Sequence, residues 1–265
     1  MKIKIALFVL AALIFTSCKK KDDTDNTPVT GKIAISFEHF INDQPAVVND
    51  YSYTNAAGNV YSFFLVRYFI SDVELYKSDG TTLKIDDWTD HFYVDTDIPH
   101  TLLWNVYDEI SSGYFDSLSF RFGFSDAKNQ SFMFVNQPES NMVWPEELGG
   151  GYHYLQLEGK WIDPNGIKIG YAFHLGRGQH YDGSGNPIPP FIDNSFRVSL
   201  PNSAFSVKAG ETTNIVLRMN IENWFEEPHI YDHNQWGGDI MQQQPAMLLA
   251  KENGWNVFSF HLNNN

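Results

Sequence analysis

His153 and His174 are the side chains whose surroundings best suit them for chemistry. They stand on the two arms of a stretch that reads as a β-hairpin, residues 144–159 followed by 171–176, with Asp163-Pro164-Asn165-Gly166 as a strong turn signal between them. A tight turn centred on Pro164 and Asn165 sets Asp163 against Gly166, Leu157 against Ala172, Leu155 against His174 and His153 against Gly176. Facing residues of an antiparallel pair project to the same side of the sheet. The two histidines then become diagonal neighbours on one face, roughly 7–8 Å apart before the side chains lean together. Imidazoles so placed can share a transition metal, which needs each nitrogen about 2 Å away. The expectation depends on register, because one residue more or fewer in the turn sends the rings to opposite faces.

Neutral imidazole is the commonest side-chain ligand for copper and zinc, and the chain has nine histidines. Its single cysteine, Cys18, lies in the N-terminal leader, so a site in the folded part is imidazole-rich, supplemented at most by a methionine, a carbonyl or water. His39 is the third candidate ligand. It shares a strand face with Ile33, Ile35, Phe37 and Ile41, and a buried histidine must find a partner or a metal. His229 is the fourth, in Pro228-His229-Ile230-Tyr231-Asp232-His233, followed by a Trp236-Gly237-Gly238-Asp239 loop able to fold over the site. Each histidine also suits a structural role, donating to a carbonyl in a polar pocket. Trp144 and Trp236 sit beside glycine-rich loops. They are candidates for redox relay or oxidative modification, and equally for packing anchors at a sandwich rim. Asp182-Gly183-Ser184-Gly185-Asn186 spaces oxygens for a hard cation but lacks a closing bidentate Glu. There is no Gly-x-Ser-x-Gly elbow, no available cysteine nucleophile and no phosphate loop, so the chain reads as a binding protein, not an enzyme.

The elements that must position these residues are mostly short strands. Residues 32–41, 60–69, 71–77, 82–85, 91–95, 118–124, 196–200, 213–221 and 255–262 read as strands from their alternation or their β-branched and aromatic content. Residues 179–190 read as a Gly/Pro-rich loop. The best helix candidate is 238–253, with Gly254 at its C-terminus. Together they predict an all-β fold, an antiparallel β-sandwich with one short C-terminal helix.

Residues 1–18 read as an export signal. Lys2 and Lys4 precede an apolar run from Ile5 to Phe15, too short to span a bilayer as a mature helix. Cys18, directly after Thr16 and Ser17, resembles a bacterial lipobox, which implies lipidation at Cys18 and a cell-envelope location, periplasmic or at the outer membrane, anchored to the membrane through the lipid alone. Residues 19–30 then form a flexible tether, and one domain spans 31–262. With one cysteine there is no intrachain disulfide, so packing alone must hold the core. The net charge is −14; five of the 18 basic residues lie in 1–21, which has no acid, so 13 bases face 32 acids in the rest and leave −19. Such a surface repels nucleic acid and anionic headgroups.

Taken in order, Phe37-Glu38-His39-Phe40, Asn55-Ala56-Ala57-Gly58-Asn59, residues 68–75, Trp144-Pro145, Gly149–Gly151 with Tyr152, Leu157-Glu158-Gly159 and Phe173-His174-Leu175-Gly176 resemble the MbnP-like family of methanobactin-associated copper-binding proteins, in its Bacteroidetes-type lipoprotein form. The resemblance implies a β-sandwich, an envelope location, copper as the metal and a di-haem cytochrome-c-peroxidase-like partner. In related copper-binding proteins that partner oxidises a tryptophan to kynurenine, two positions before a histidine on a strand. If residues 37–39 are the matching place, this chain carries Phe37 there and not Trp, a departure that tells against kynurenine at that position. The competing expectation is a cell-surface module without metal, binding glycans or peptides on exposed aromatics, which the 15 % aromatic content also suits.

Overall fold

The computed structural model describes residues 29–263. The stretch read as an export signal, the expected lipidation site Cys18 and nearly all of the expected tether lie outside them. Ten strands carry the two main sheets: β1 (Thr30–Ile41), β2 (Val60–Tyr76), β3 (His91–Asp95), β4 (Leu103–Ser111) and β5 (Ser117–Phe122). The second half adds β6 (Leu155–Ile162), β7 (Lys168–Leu175), β8 (Phe196–Leu200), β9 (Thr212–Asn220) and β10 (Phe258–Leu262). One sheet runs β10-β9-β1-β4; the other runs β7-β6-β2-β5-β8, with β3 on the opposite edge of β2. Pairing is antiparallel except between β1 and β9, which are parallel. The fold is a β-sandwich with one helix of more than a single turn among the described residues, α1 (Gln244–Asn253).

Alternation decides which side chains face the core. Along β1, Ile33, Ile35 and Phe37 point at the other sheet and are buried. Tyr68 on β2 meets them edge-on, 6.3 Å from Phe37 and 5.8 Å from Phe258 between ring centroids. Edge-to-face contacts of this kind add to area burial, and they let a core without disulfides close on aromatic packing. Tyr68 is level with Leu155, and Leu155 with Leu175, so this row faces inward. Its neighbours Arg67, Gln156 and His174 therefore face outward.

The outer face of the second sheet is not open to water there. Residues 125–153 lie across it as a third layer. Phe69, outward-facing beside Tyr68, stacks on Phe134 at 5.3 Å and packs on Tyr93 and Phe124. The Tyr152 hydroxyl accepts the Phe134 N–H at 2.8 Å and fixes that layer to itself.

Several boundaries differ from the sequence reading. Residues 60–76 form one strand, not two; Asp72, at φ +51°, marks an irregularity that the strand continues through. Residues 179–190 are not a plain loop: Gly178–Tyr181 pairs with Pro187–Ile192 around a turn in which Asp182 Oδ1 accepts the N–H groups of Ser184 and Asn186. The helix begins at Gln244, six residues later than 238, because Gly238 and Asp239 instead hydrogen-bond and bridge to Ala172 of β7.

Candidate metal centre

The turn between β6 and β7 is one residue longer than the sequence suggested. Asp163 closes on Ile167, not Gly166: its N–H donates to Ile167 O at 2.9 Å, and its Oδ1 accepts from Asn165 N and Ile167 N. Gly166, at φ +79°, takes the left-handed position of a three-residue loop. The register shifts accordingly. Leu155 faces Leu175 and Gln156 faces His174, correcting the expected pairing of Leu155 with His174. On that register an unbroken β6 would aim His153 inward, away from His174.

The rings nevertheless meet, because β6 starts only at Leu155. Gly149, Gly150 and Gly151 have φ of +112°, +63° and +84°, a run that only glycine adopts without strain. They turn the chain back on residues 142–144, so that Trp144 N–H donates to Gly151 O and His153 N–H to Met142 O. This small ladder re-aims His153 independently of β6. Its ring lies 4.9 Å from that of His174, at 90°. Trp144 sits on the same face of the ladder, edge-on to His153 at 4.7 Å.

Hydrogen bonds fix both tautomers. His153 Nδ1 lies 3.0 Å from the Met142 carbonyl oxygen, which can only accept, so Nδ1 carries the proton. His174 Nε2 lies 3.1 Å from Glu158 Oε1. The bond from His174 holds the Glu158 carboxyl below its usual range, against the opposing effect of burial, so the carboxylate accepts and Nε2 donates. The remaining nitrogens, His153 Nε2 and His174 Nδ1, are buried and have no hydrogen-bond partner. Burial first, and His174 second, lower the pKa of His153 to about 3, so the ring is neutral at neutral pH. Two adjacent imidazoles thus each present a ring nitrogen without a partner, with the other nitrogen held by an acceptor. That arrangement is how metal-ligating histidines are oriented.

Trp144 walls the site. It is fully buried, its indole N–H donates to Leu148 O at 3.1 Å, and it packs on the backbone of Gly176. A Cβ at residue 176 would lie 2.4 Å from Trp144 Cε3. Gly176→Ala is expected to cost about 1–3 kcal/mol by overpacking, read by urea denaturation, and to shift the tryptophan emission of the native state.

The other sequence candidates do not join this pair. His39 lies between the sheets, 5.8 Å from Tyr68, whereas His174 is on the far side of the second sheet. Burial lowers its pKa to about 4, and its Nε2 is unpartnered. His229 is half-exposed and pairs with Glu252. Trp236 belongs to a single helical turn, His233–Trp236, that packs away from the imidazoles. Among the described residues no cluster of three or more His, Cys, Asp or Glu could hold a metal.

Sequence reasoning passed over Glu158, although it lies in one of the quoted motifs; with the true register it falls on the same face as His174. The 228–239 segment, expected to bring His229 or His233 over the site, brings neither: His233 is fully buried against Trp161, Tyr171, Phe225 and Tyr231 with neither ring nitrogen hydrogen-bonded.

The family model of MbnP matches residues 30–242. Among solved structures, MbnP from Methylosinus trichosporium superposes with a TM-score of 0.53 at 15 % identity, over 88 % of this chain and 99 % of that one. At that identity the likeness shows a shared fold. No curated protein matches the chain.

Proposed function

The chain belongs to the MbnP family, and from that membership together with its paired imidazoles we propose that it binds copper at His153 and His174. Membership itself carries a methanobactin-associated, copper-related role. The observation that supports this particular site is the pair of unpartnered nitrogens, His153 Nε2 and His174 Nδ1, on rings 4.9 Å apart. Leaving buried polar atoms unpaired costs about 1–3 kcal/mol each, and a shared metal removes that cost at both. When bound, copper would supply a redox-active centre; the protein supplies two imidazole donors, the orientation fixed by Met142 and Glu158, and a dry wall in Trp144.

Within this reading the protein is a binding protein, not an enzyme, held in the cell envelope by a lipid on Cys18, and it works with a di-haem peroxidase-like partner in copper handling. Trp144, against the imidazoles, is the residue such a partner would oxidise; Phe37 and Trp236 are not beside the pair. A neighbouring gene with two Cys-x-x-Cys-His motifs, and an intact mass from the native host, bear on the partner and on oxidation at Trp144.

The direct test is a copper titration of the purified mature protein. One equivalent is expected to bind. Copper at a hundred times its Kd is expected to add ~2.7 kcal/mol of stability. A melting temperature indifferent to copper would overturn the proposal.

One observation favours the surface-module reading. Trp88 and Tyr107 are 73 % and 66 % exposed and lie 5.9 Å apart beside a groove of about 350 Å³ lined by His91, His100 and Trp104. Quenching of Trp88 fluorescence by oligosaccharides, lost in Tyr107→Ala, would support it; no response to a sugar panel would remove it.

A further inference from the structure

We infer that Gln156 is a third donor to the metal, through its side-chain amide oxygen; this rests on the copper reading of His153 and His174. Two imidazoles leave a copper ion short of donors, and most polar groups near them are already committed. The Met142 carbonyl accepts from His153 N and Nδ1. Glu158 Oε1 holds His174 Nε2, and the Trp144 N–H is given to Leu148. Arg67 Nε lies 3.0 Å from Asp95 Oδ2 and is a cation besides.

Gln156 is left. It is the direct cross-strand partner of His174, so the two side chains rise from the same outer face with Cβ atoms about 5 Å apart. It is 8 % exposed, the same as His174. Every other member of its row across the sheet is engaged: His174 by Glu158, and Arg67 and Asp95 by each other. The Gln156 amide makes no side-chain hydrogen bond within the described residues, and its atoms are not among the buried ones left without a partner, so its oxygen is uncommitted and reachable from the surface of this face. Glutamine oxygen is a known weak donor to copper beside imidazoles. The result is a neutral N₂O donor set on one patch of sheet, with no thiolate. Because it contains no third His, Cys, Asp or Glu, motif spacing does not reveal it.

The test compares wild type with Gln156→Leu, which removes the oxygen at similar volume, and Gln156→Asn, which keeps the amide but draws it back by one methylene. Each is titrated with Cu(II) against a competing chelator, and the Cu(II) form is examined by EPR. Gln156→Leu is expected to weaken copper binding by about 10-fold or more and to change the parallel hyperfine splitting, while its metal-free melting temperature stays at or above wild type. Gln156→Asn is expected to show the same spectral change in a chain that keeps its polarity, which covers the case in which Gln156→Leu does not fold. Copper affinity and EPR spectra superimposable on wild type in the folded variants would overturn the inference and leave the two-histidine reading standing. Wild-type protein that binds no copper overturns that reading first.

Discussion

His153→Ala and His174→Ala are each expected to lower copper affinity by at least ~100-fold, more than the 10–100-fold that outer-shell changes give. Each substitution removes one of two unpartnered imidazole nitrogens on rings 4.9 Å apart. The effects are expected to be non-additive, since one remaining imidazole makes a poor site and the double variant has little more to lose. Glu158→Gln keeps both rings but replaces the carboxylate that fixes the His174 tautomer, and falls in the 10–100-fold range. His39→Ala and His229→Ala serve as controls: the first lies on the other side of the second sheet, and the second pairs with Glu252 on the surface. Both should titrate like wild type. Isothermal titration with a competing chelator measures all six; wild-type affinity in His153→Ala or His174→Ala would remove that residue from the site.

The route by which the two rings meet shows what a sequence can and cannot carry. The strands from 91–95 and 196–200 were legible because β-branched and aromatic residues cluster between turn signals, and their bounds agree with the sequence reading. The hairpin was legible from Asp163-Pro164-Asn165-Gly166, but its length was not. That sequence supports a two-residue turn and also a three-residue loop with Gly166 left-handed, and the choice reverses every side chain downstream. On the observed register, strict alternation separates the histidines. The Gly149–Gly151 run restores their contact by ending the strand and pairing His153 with Met142, a tertiary effect that periodicity does not encode. Gln156 and Glu158 were hidden for the same reason: their face follows from register. His39 illustrates the opposite failure. Alternation set it on the inner face of β1, where it is half-buried against Tyr68, but a histidine on an inner strand face and one on an outer face have the same sequence signature.

The metal-free protein is expected to lose stability steeply as the pH falls from about 6.5 towards 4. Three histidines are held neutral by burial: His39 with a pKa of about 4, and His153 and His233 each about 3. In the unfolded chain each titrates near 6.5. Between those values the unfolded state binds protons that the folded state refuses, so stability rises with pH across the window and falls on acidification. Each group contributes a slope of ~1.4 kcal/mol per pH unit, about 4 for the three together. Against a total of about 5–15 kcal/mol for a typical domain, two pH units suffice to unfold a protein of ordinary stability. Two carboxyls oppose this: burial raises Glu222 and Glu226 above their usual range, so between those raised values and the unfolded carboxylate pKa of ~4.3 the folded state takes up their protons first and gains stability, in the lower part of the window. Asp232, beside His233, pulls that ring's pKa up against the larger effect of burial. His233→Phe isolates one of the three, since Phe suits a pocket formed by Trp161, Tyr171, Phe225 and Tyr231. Urea denaturation of the metal-free chain between pH 7.5 and 4.5 should show the full slope in wild type and ~1.4 kcal/mol per pH unit less in His233→Phe. A stability flat from pH 7 to 5 would mean that these rings take up protons in the folded state. A free lone pair at His153 would then no longer follow from burial, and the metal centre would lose one of its two donors together with the acid response.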